Sequence, residues 1–374
     1  MENVFITKIQ IKKVRHLKNV EIMLSDNERK HLIVTGKNGS GKTSFLEAID
    51  AIVPEQTLGY MEAHPNADNE VGAGGISVSL NQKIQTFHAL GLVFIQAQRS
   101  GLTPAKAVGE PLTKSKNMTA ENASKNFMQY LVNLDYQLYG AQMDGNTALQ
   151  TSLKKWFENF EETLREIYDC KELVLRRDTK NRSFIIELPS HEPFALHEMS
   201  DGYSALLKIV MELLLRFEDT DAVVNYSKSA IVMIDEIETH LHVELQRKVL
   251  PFLTRMFPNV QFIVSTHSPF VISSLENAIV FDLEKRERLE KPSYYSYDTI
   301  VESFLDTSMY SDELIKQFAR YKELCLKDRT QEENEEFLRA KAELEIRAIP
   351  STELYIAFQE LEKARKAGKN GTTA

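Results

Sequence analysis

Cysteine is scarce. The 374 residues hold only Cys170 and Cys325, with no C-x-x-C spacing, which excludes a disulfide framework and a structural zinc site and fits a reducing cytosol. No apolar run approaches the roughly eighteen residues of a membrane span. The opening MENVFITKIQ lacks a basic stretch, an apolar stretch and a small-residue cleavage site. The expectation is a soluble, unsecreted, cytoplasmic protein with no membrane partner. Excess positive charge is missing too: 45 Lys and Arg stand against 54 Asp and Glu, a net charge of -9, so any nucleic-acid contact must be local. There is no fixed-period repeat and no heptad pattern sustained enough for a long coiled coil. With 43% hydrophobic and 26% charged residues the composition is globular, enough for one large domain or two modest ones.

Short β-rich runs, VFITKIQI and NVEIML, are followed by HLIVTG, an apolar strand that enters a glycine-rich turn and then the helical SFLEAIDAIV. Beyond a Pro- and Gly-punctuated stretch from Pro54 to Gly75, ISVSLNQKIQTFHA and LGLVFIQAQ read as strands whose pairing suggests an antiparallel layer. Residues from about 117 to 170 carry helical periodicity and look like an inserted helical subdomain. KELVLRR and SFIIEL flank the turn DTKNR as a hairpin, and LHEMSDGYSALLKIVMELLLRF reads as a loop followed by an amphipathic helix. SAIVMIDE and NVQFIVSTH close an α/β half at about residue 285. From 286 to 374 strand signals stop and amphipathic helices with mixed-sign charges form a second module.

Gly36-Lys37-Asn38-Gly39-Ser40-Gly41-Lys42-Thr43 fits G-x-x-x-x-G-K-[ST] between an apolar strand and a helix, the context that pattern requires. Glycines let successive backbone N–H groups face a phosphate. The helix N-terminus adds positive dipole, Lys42 reaches the β- and γ-phosphates of ATP, and the Thr43 hydroxyl is suited to magnesium. AIVMIDEIETH ends a second apolar strand in adjacent acids. In P-loop ATPases an acid at this position holds the metal and a neighbouring carboxylate polarises the attacking water, roles that fall to Asp235 and Glu236.

With these two motifs the chain resembles the ATP-binding-cassette superclass, and within it the SMC, RecF and OLD-type ATPases, over about residues 1 to 280. The resemblance implies an α/β fold: an ABC-ATPase head, 1–285, of parallel P-loop sheet plus antiparallel layer with a helical insertion, and a helical C-terminal module, 286–374. Met199-Ser200-Asp201-Gly202-Tyr203 is similar to the cassette signature, so that Ser200, Asp201 and Gly202 would meet the nucleotide held by a second copy. That implies a homodimer, or a higher homo-oligomer, closed around ATP and Mg2+. His267 in VSTHSPF resembles the switch histidine that contacts the γ-phosphate. Gln98 in FIQAQRSG matches the glutamine that reports on the metal, with Gln96 two residues earlier on the same strand face as the competing choice. Arg15 resembles a basic residue that related heads direct at the nucleotide, while a solvated strand-edge charge is an equal reading. After Glu236 the chain reads Ile237-Glu238-Thr239-His240-Leu241-His242, an E-x-H-L-H form that resembles OLD-like and defence-associated ATPases rather than the usual aspartate-bearing loop. A metal cluster at His240 and His242 is disfavoured, since neighbours two apart on a turn rarely converge without a third partner.

The helical tail is similar to the endings of stand-alone ATPases from Septu, retron-associated and PARIS-like anti-phage modules, where the effector, often a nuclease, is encoded separately. About ninety residues follow the T-H-S-P strand without the D-x-D pair that a Toprim nuclease would need. The leading expectation is an ATPase of an anti-phage complex that controls a separate effector. The alternative is a RecF- or SMC-like DNA-repair clamp, its candidate nucleic-acid contacts being Lys12, Lys13, Lys18, Arg176, Arg177, Lys180 and Arg182. Phe304, Phe318 and Tyr321 read either as anchors for a partner or as packing residues of the C-terminal module.

Overall fold

Alternation lays down the first layer. The computed structural model describes residues 4–52, 70–82, 91–97, 120–178, 180–181, 183–217, 228–305, 307–308, 310–325, 329–347 and 353–370. In Ile6–Val14 (β1) and Leu17–Met23 (β2), Ile9, Ile11, Val20 and Ile22 turn inward while Lys12, Lys18 and Glu21 face out. These strands join Glu70–Ala73 (β4) and Ile76–Leu80 (β5) in an antiparallel sheet of order β2-β1-β5-β4.

The second sheet is built from continuous apolar runs, as expected where both faces are covered. His31–Thr35 (β3), Ala230–Ile234 (β10), Val260–Ser265 (β11) and Ala278–Asp282 (β12) are buried along their whole length. With Leu92–Ile95 (β6) and Arg288–Glu290 (β13) they take the order β13-β12-β3-β11-β10-β6, parallel except for β13. Helix α1, Lys42–Asp50, lies between the two sheets, its Phe45, Leu46 and Ile49 in one core with Ile9, Ile22, Val78, Val34 and Ile263. Gln261 is polar yet fully buried in β11, because its amide satisfies three backbone groups. Its Oε1 accepts from Ile6 N (2.8 Å), and its Nε2 donates to Ile6 O (2.9 Å) and Lys30 O (2.8 Å).

Helices α2, Ala120–Met143, and α3, Thr147–Tyr168, form the insertion, held by an aromatic cluster in which Trp156 lies 5.3 Å from Phe160 and 5.7 Å from Tyr130 between ring centroids. Asn146 caps α3 by accepting from Leu149 N at 3.2 Å. Val174–Asp178 (β7), Ser183–Glu187 (β8) and Phe194–Ala195 (β9) make a small antiparallel sheet that leads to α4, Asp201–Phe217. Helices α5, Val243–Met256, α6, Pro269–Ile272, and α7, Tyr297–Thr299, complete this part.

Two expectations are corrected. The strands read as an antiparallel pair belong to different sheets: β5 pairs with β1 and β4, whereas β6 runs parallel to β10, with Ile231 opposite Leu92 and Ile234 opposite Ile95. Period-two alternation in ISVSL suits a half-solvated antiparallel sheet, and the denser apolar run LVFI suits the parallel one. Strands also do not stop near 285. Arg288–Glu290 carries little apolar signal but pairs with β12 through its backbone.

The chain divides into two compact units, Met1–Ile300 and Val301–Ala374. In the second, α8, Asp312–Cys325, α9, Gln331–Arg347, and α10, Glu353–Asn370, enclose Tyr321, Leu324, Phe337, Leu344 and Phe358. Tyr321 is fully buried and Phe318 packs against the same cluster, so neither is an exposed anchor; Phe304 is buried as well. The Tyr321 hydroxyl donates to Glu362, whose other oxygen accepts from Lys341 Nζ at 2.8 Å.

Candidate functional site

Parallel strands deliver their following loops to one edge, and in an open α/β sheet that carboxyl edge is where ligands bind. The loop after β3 is the glycine-rich turn. Gly36, Gly39 and Gly41 have φ of +131°, +84° and +100°, values that side-chain-bearing residues rarely adopt. A Cβ on Gly36 would stand 2.8 Å from Ser40 Oγ, and one on Gly41 2.9 Å from His16 Nε2. The turn therefore closes tightly over the start of α1. Lys42 Nζ donates to Gly36 O (2.8 Å) and Lys37 O (3.2 Å), contacts that a phosphate oxygen can replace. Asn38 and Ser40 lie on the same turn, and Ser40 Oγ is buried without a hydrogen-bond partner.

Strand β11 stands between β3 and β10, yet Thr43 and Asp235 meet: Thr43 Oγ1 donates to Asp235 Oδ2 at 2.8 Å. Asp235 Oδ1 accepts from Ser265 Oγ at 2.5 Å, and the same hydroxyl accepts from Glu236 N at 2.7 Å. Glu236 has φ +44°, a left-handed conformation for a residue with a side chain, and its Oε2 accepts from Thr239 Oγ1 at 3.3 Å. His267, just past β11, donates its backbone N–H to Glu238 Oε1 at 2.6 Å. Its Nε2, like Glu238 Oε2, is buried without a partner.

Charge is concentrated here. Burial lowers the affinity of the Lys42 amine for its proton, and the carboxylates of Glu236, Asp235, Glu238 and Asp282 oppose that shift. Burial, then the charge of Lys42, lower the basicity of His267, while Glu238 and Glu236 act in the other direction. The electrostatic coupling sets Lys42, His267 and the acids in one pocket of field. A cationic lysine, a helix N-terminus and a weakly basic imidazole suit a polyphosphate, and a threonine hydroxyl beside a buried aspartate suits magnesium.

The signature-like loop is at the surface. Ser200 and Asp201 are exposed at the N-terminus of α4, whereas Gly202 is buried, a Cβ there falling 3.2 Å from His240 O and 3.3 Å from His242 Cδ2. Tyr203 stacks on Tyr168 with 4.1 Å between centroids. Gln98 lies outside the described residues. Gln96 follows β6 directly beside Asp235, whose N–H bonds Ile95 O at 2.9 Å. Arg15 commits its guanidinium to α1: Nη1 donates to Ser44 Oγ (2.6 Å) and Nη2 pairs with Glu47 (2.9 Å). Among the described residues there is no group of three or more His, Cys, Asp or Glu arranged to hold a metal ion. In the hairpin, Arg176 pairs with Glu187 (2.7 Å) and Arg177 with Asp135 (2.9 Å), so two of the candidate phosphate contacts already have a carboxylate partner while both side chains stay exposed.

Sequence reasoning passed over Ser265 and Asp282. Asp282 Oδ1 accepts from the N–H groups of Glu284 and Lys285 and lies next to Gly36. The only signal for Ser265 was its place two residues before His267 in VSTH.

Residues 8–173 match the family described as AAA domain, and 128–273 that described as AAA domain, putative AbiEii toxin, Type IV TA system. The chain is 23% identical over 309 residues to Septu protein PtuA of Bacillus mycoides, a match covering 76% of this chain and 41% of that protein. It is 31% identical over 97 residues to the Retron Ec83 probable ATPase of Escherichia coli, covering 25% of this chain and 18% of the relative. Both matches span less than half of the relative's length. Among solved structures, the SMC head domain from Thermotoga maritima superposes with a TM-score of 0.38 at 14% identity, over 74% of this chain and 94% of that one. Over these partial matches the chain is similar to AAA-domain ATPases and to ATPases of anti-phage defence systems. Among the described residues no helix is long and apolar enough to cross a membrane.

Proposed function

We propose that this chain is the ATP-binding and ATP-hydrolysing, cytoplasmic subunit of a bacterial anti-phage complex, closing as a homodimer or higher homo-oligomer around magnesium–ATP and controlling a separately encoded effector such as a nuclease. The observation that carries the hydrolytic part is the continuous bonded path Thr43–Asp235–Ser265–Glu236, beside a histidine whose buried Nε2 has no partner. Bound magnesium supplies positive charge against the phosphates, and Thr43 and Asp235 are the residues to hold it, with Gln98 or Gln96 as a further contact. The backbone N–H groups of Asn38 to Thr43 and the Lys42 ammonium bind the phosphate chain. Glu236 takes the proton of the attacking water at its carboxylate. His267, held weakly basic, presents a neutral imidazole that can donate one hydrogen bond. Ser200 and Asp201, exposed at the start of a 17-residue helix, with Gly202 buried behind them, are the residues that would meet a second copy. The Septu and retron relatives support the defence assignment.

The test is Glu236→Gln expressed from the native operon and isolated with magnesium–ATP. The amide keeps the shape of the side chain, so nucleotide binding persists while hydrolysis falls about 10²- to 10⁴-fold, the usual worth of a general base. Unchanged turnover would show that another carboxylate does the work. A stoichiometric neighbouring protein in the eluate supports effector control; a bare homodimer that captures duplex DNA in a salt-dependent way would put the repair-clamp reading first.

A further inference from the structure

We infer that Ser265 is a positioning residue for ATP hydrolysis, because its hydroxyl ties the metal-binding carboxylate of Asp235 to the backbone of Glu236 and so sets both at once. The inference rests on the ATPase reading above. Ser265 ends β11 with no exposed surface and engages three consecutive residues of the neighbouring loop. Its Oγ donates to Asp235 Oδ1 (2.5 Å) and accepts from Glu236 N (2.7 Å), and its carbonyl accepts from Ile237 N (3.1 Å).

The polarity of this relay is fixed. A hydroxyl has one proton, and an ionised carboxylate and an N–H can only accept and donate respectively, so the proton of Ser265 must point at Asp235 and a lone pair at Glu236. Asp235 is then held at both oxygens, by Ser265 at Oδ1 and by Thr43 at Oδ2. Glu236 sits at φ +44°, a conformation that persists only where surrounding contacts over-determine it. The bonds from Ser265 to Glu236 N and Ile237 N are such contacts on either side of that strained residue. A second brace, Glu238 Oε1 to His267 N at 2.6 Å, ties the same two segments a few residues further on. The spacing between the proposed base and the proposed phosphate-contacting histidine is therefore set by bonds between the β10–α5 loop and the end of β11, with Ser265 the first of them.

The experiment compares wild type, Ser265→Ala and Ser265→Thr in the full chain. Steady-state hydrolysis gives kcat and KM, and binding of a fluorescent ATP analogue is measured in EDTA and in magnesium. For Ser265→Ala we expect affinity in EDTA within about twofold of wild type, because the phosphate-binding turn is untouched. The gain in affinity on adding magnesium should shrink several-fold, with KM rising by no more than that factor, and kcat should fall by roughly tenfold or more, the pattern of a lost preorganising contact. Threonine keeps the hydroxyl and suits a strand, so it should recover both properties. Ser265→Ala with wild-type kcat and a wild-type magnesium effect overturns the inference. So does joint loss of EDTA binding and melting temperature, which marks a purely structural residue, and so does a threonine variant as impaired as alanine. If wild type itself does not hydrolyse ATP, the hydrolytic proposal fails, and the magnesium effect then decides only whether Ser265 positions Asp235 for the metal.

Discussion

His31 makes the strand leading into the phosphate loop sensitive to acid. It is the first residue of β3, about nine-tenths buried, and its Nδ1 accepts the N–H of Phe262 at 3.1 Å. Burial, then the nearby charges of Arg29 and Lys30, push its pKa down from 6.5 to about 3. The unfolded chain thus takes up a proton below pH 6.5 that the folded chain refuses until pH 3. With a depressed folded pKa in a base, the penalty is absent above 6.5 and grows as pH falls. Each pH unit in that window is worth up to about 1.4 kcal/mol, so going from pH 7 to pH 5 should remove about 2 kcal/mol through this residue alone. His31→Gln offers an amide oxygen to the same N–H and does not titrate. Urea unfolding of both proteins at pH 7 and pH 5 isolates the effect, because the carboxylates are common to both. The wild type should lose about 2 kcal/mol more than the variant. Equal losses, or a His31 ring signal that titrates near 6.5 in NMR, would refute the buried neutral assignment.

The remaining predictions concern nucleotide and assembly. Lys42→Ala removes the ammonium that now rests on Gly36 O and Lys37 O, and should weaken ATP binding by at least tenfold in a fluorescence titration; normal affinity would contradict the phosphate-loop reading. Gly41→Ala combines φ +100° with a contact of 2.9 Å to His16 Nε2, and should cost about 1–3 kcal/mol in melting experiments, whereas Gly39→Ala, with nothing within 4 Å, should cost only the backbone strain. Ser200→Arg, at an exposed helix start, should leave ATP binding to one head intact while preventing ATP-dependent dimers in light scattering; a variant that still dimerises contradicts the closure of two copies around ATP.

Legibility in the sequence followed how local each signal was. The position of the glycine-rich turn after β3 and of the Asp235–Glu236 pair after β10 could be read directly, because an apolar run fixes each strand and these residues are contiguous with it. The insertion was equally plain, since 24- and 22-residue helices give periodicity many turns to accumulate. Strand partnership was not plain: nothing within LVFI states that β10, more than a hundred residues away, will be its neighbour. Nor was β13, whose three residues are held by the backbone of β12 and carry no pattern of their own.

Ser265 belongs to the same class of hidden information. A serine in VST is an ordinary strand residue until the order β3-β11-β10 is known. That order places β11 between the strand that ends in the phosphate loop and the strand that ends in the acids. A side chain at the tip of the middle strand can bond to Asp235 and Glu236 while Thr43 bonds the other oxygen of Asp235. Register adds the last condition. Val264 stands opposite Ile234, so the next residue on each strand, Ser265 and Asp235, come level at the carboxyl edge. A one-residue slip would turn the hydroxyl to the opposite face and leave Asp235 Oδ1 without the Ser265 contact. The apolar pairing along β10 and β11 therefore does more than fill the core: by fixing register it decides which side chain meets the carboxylate.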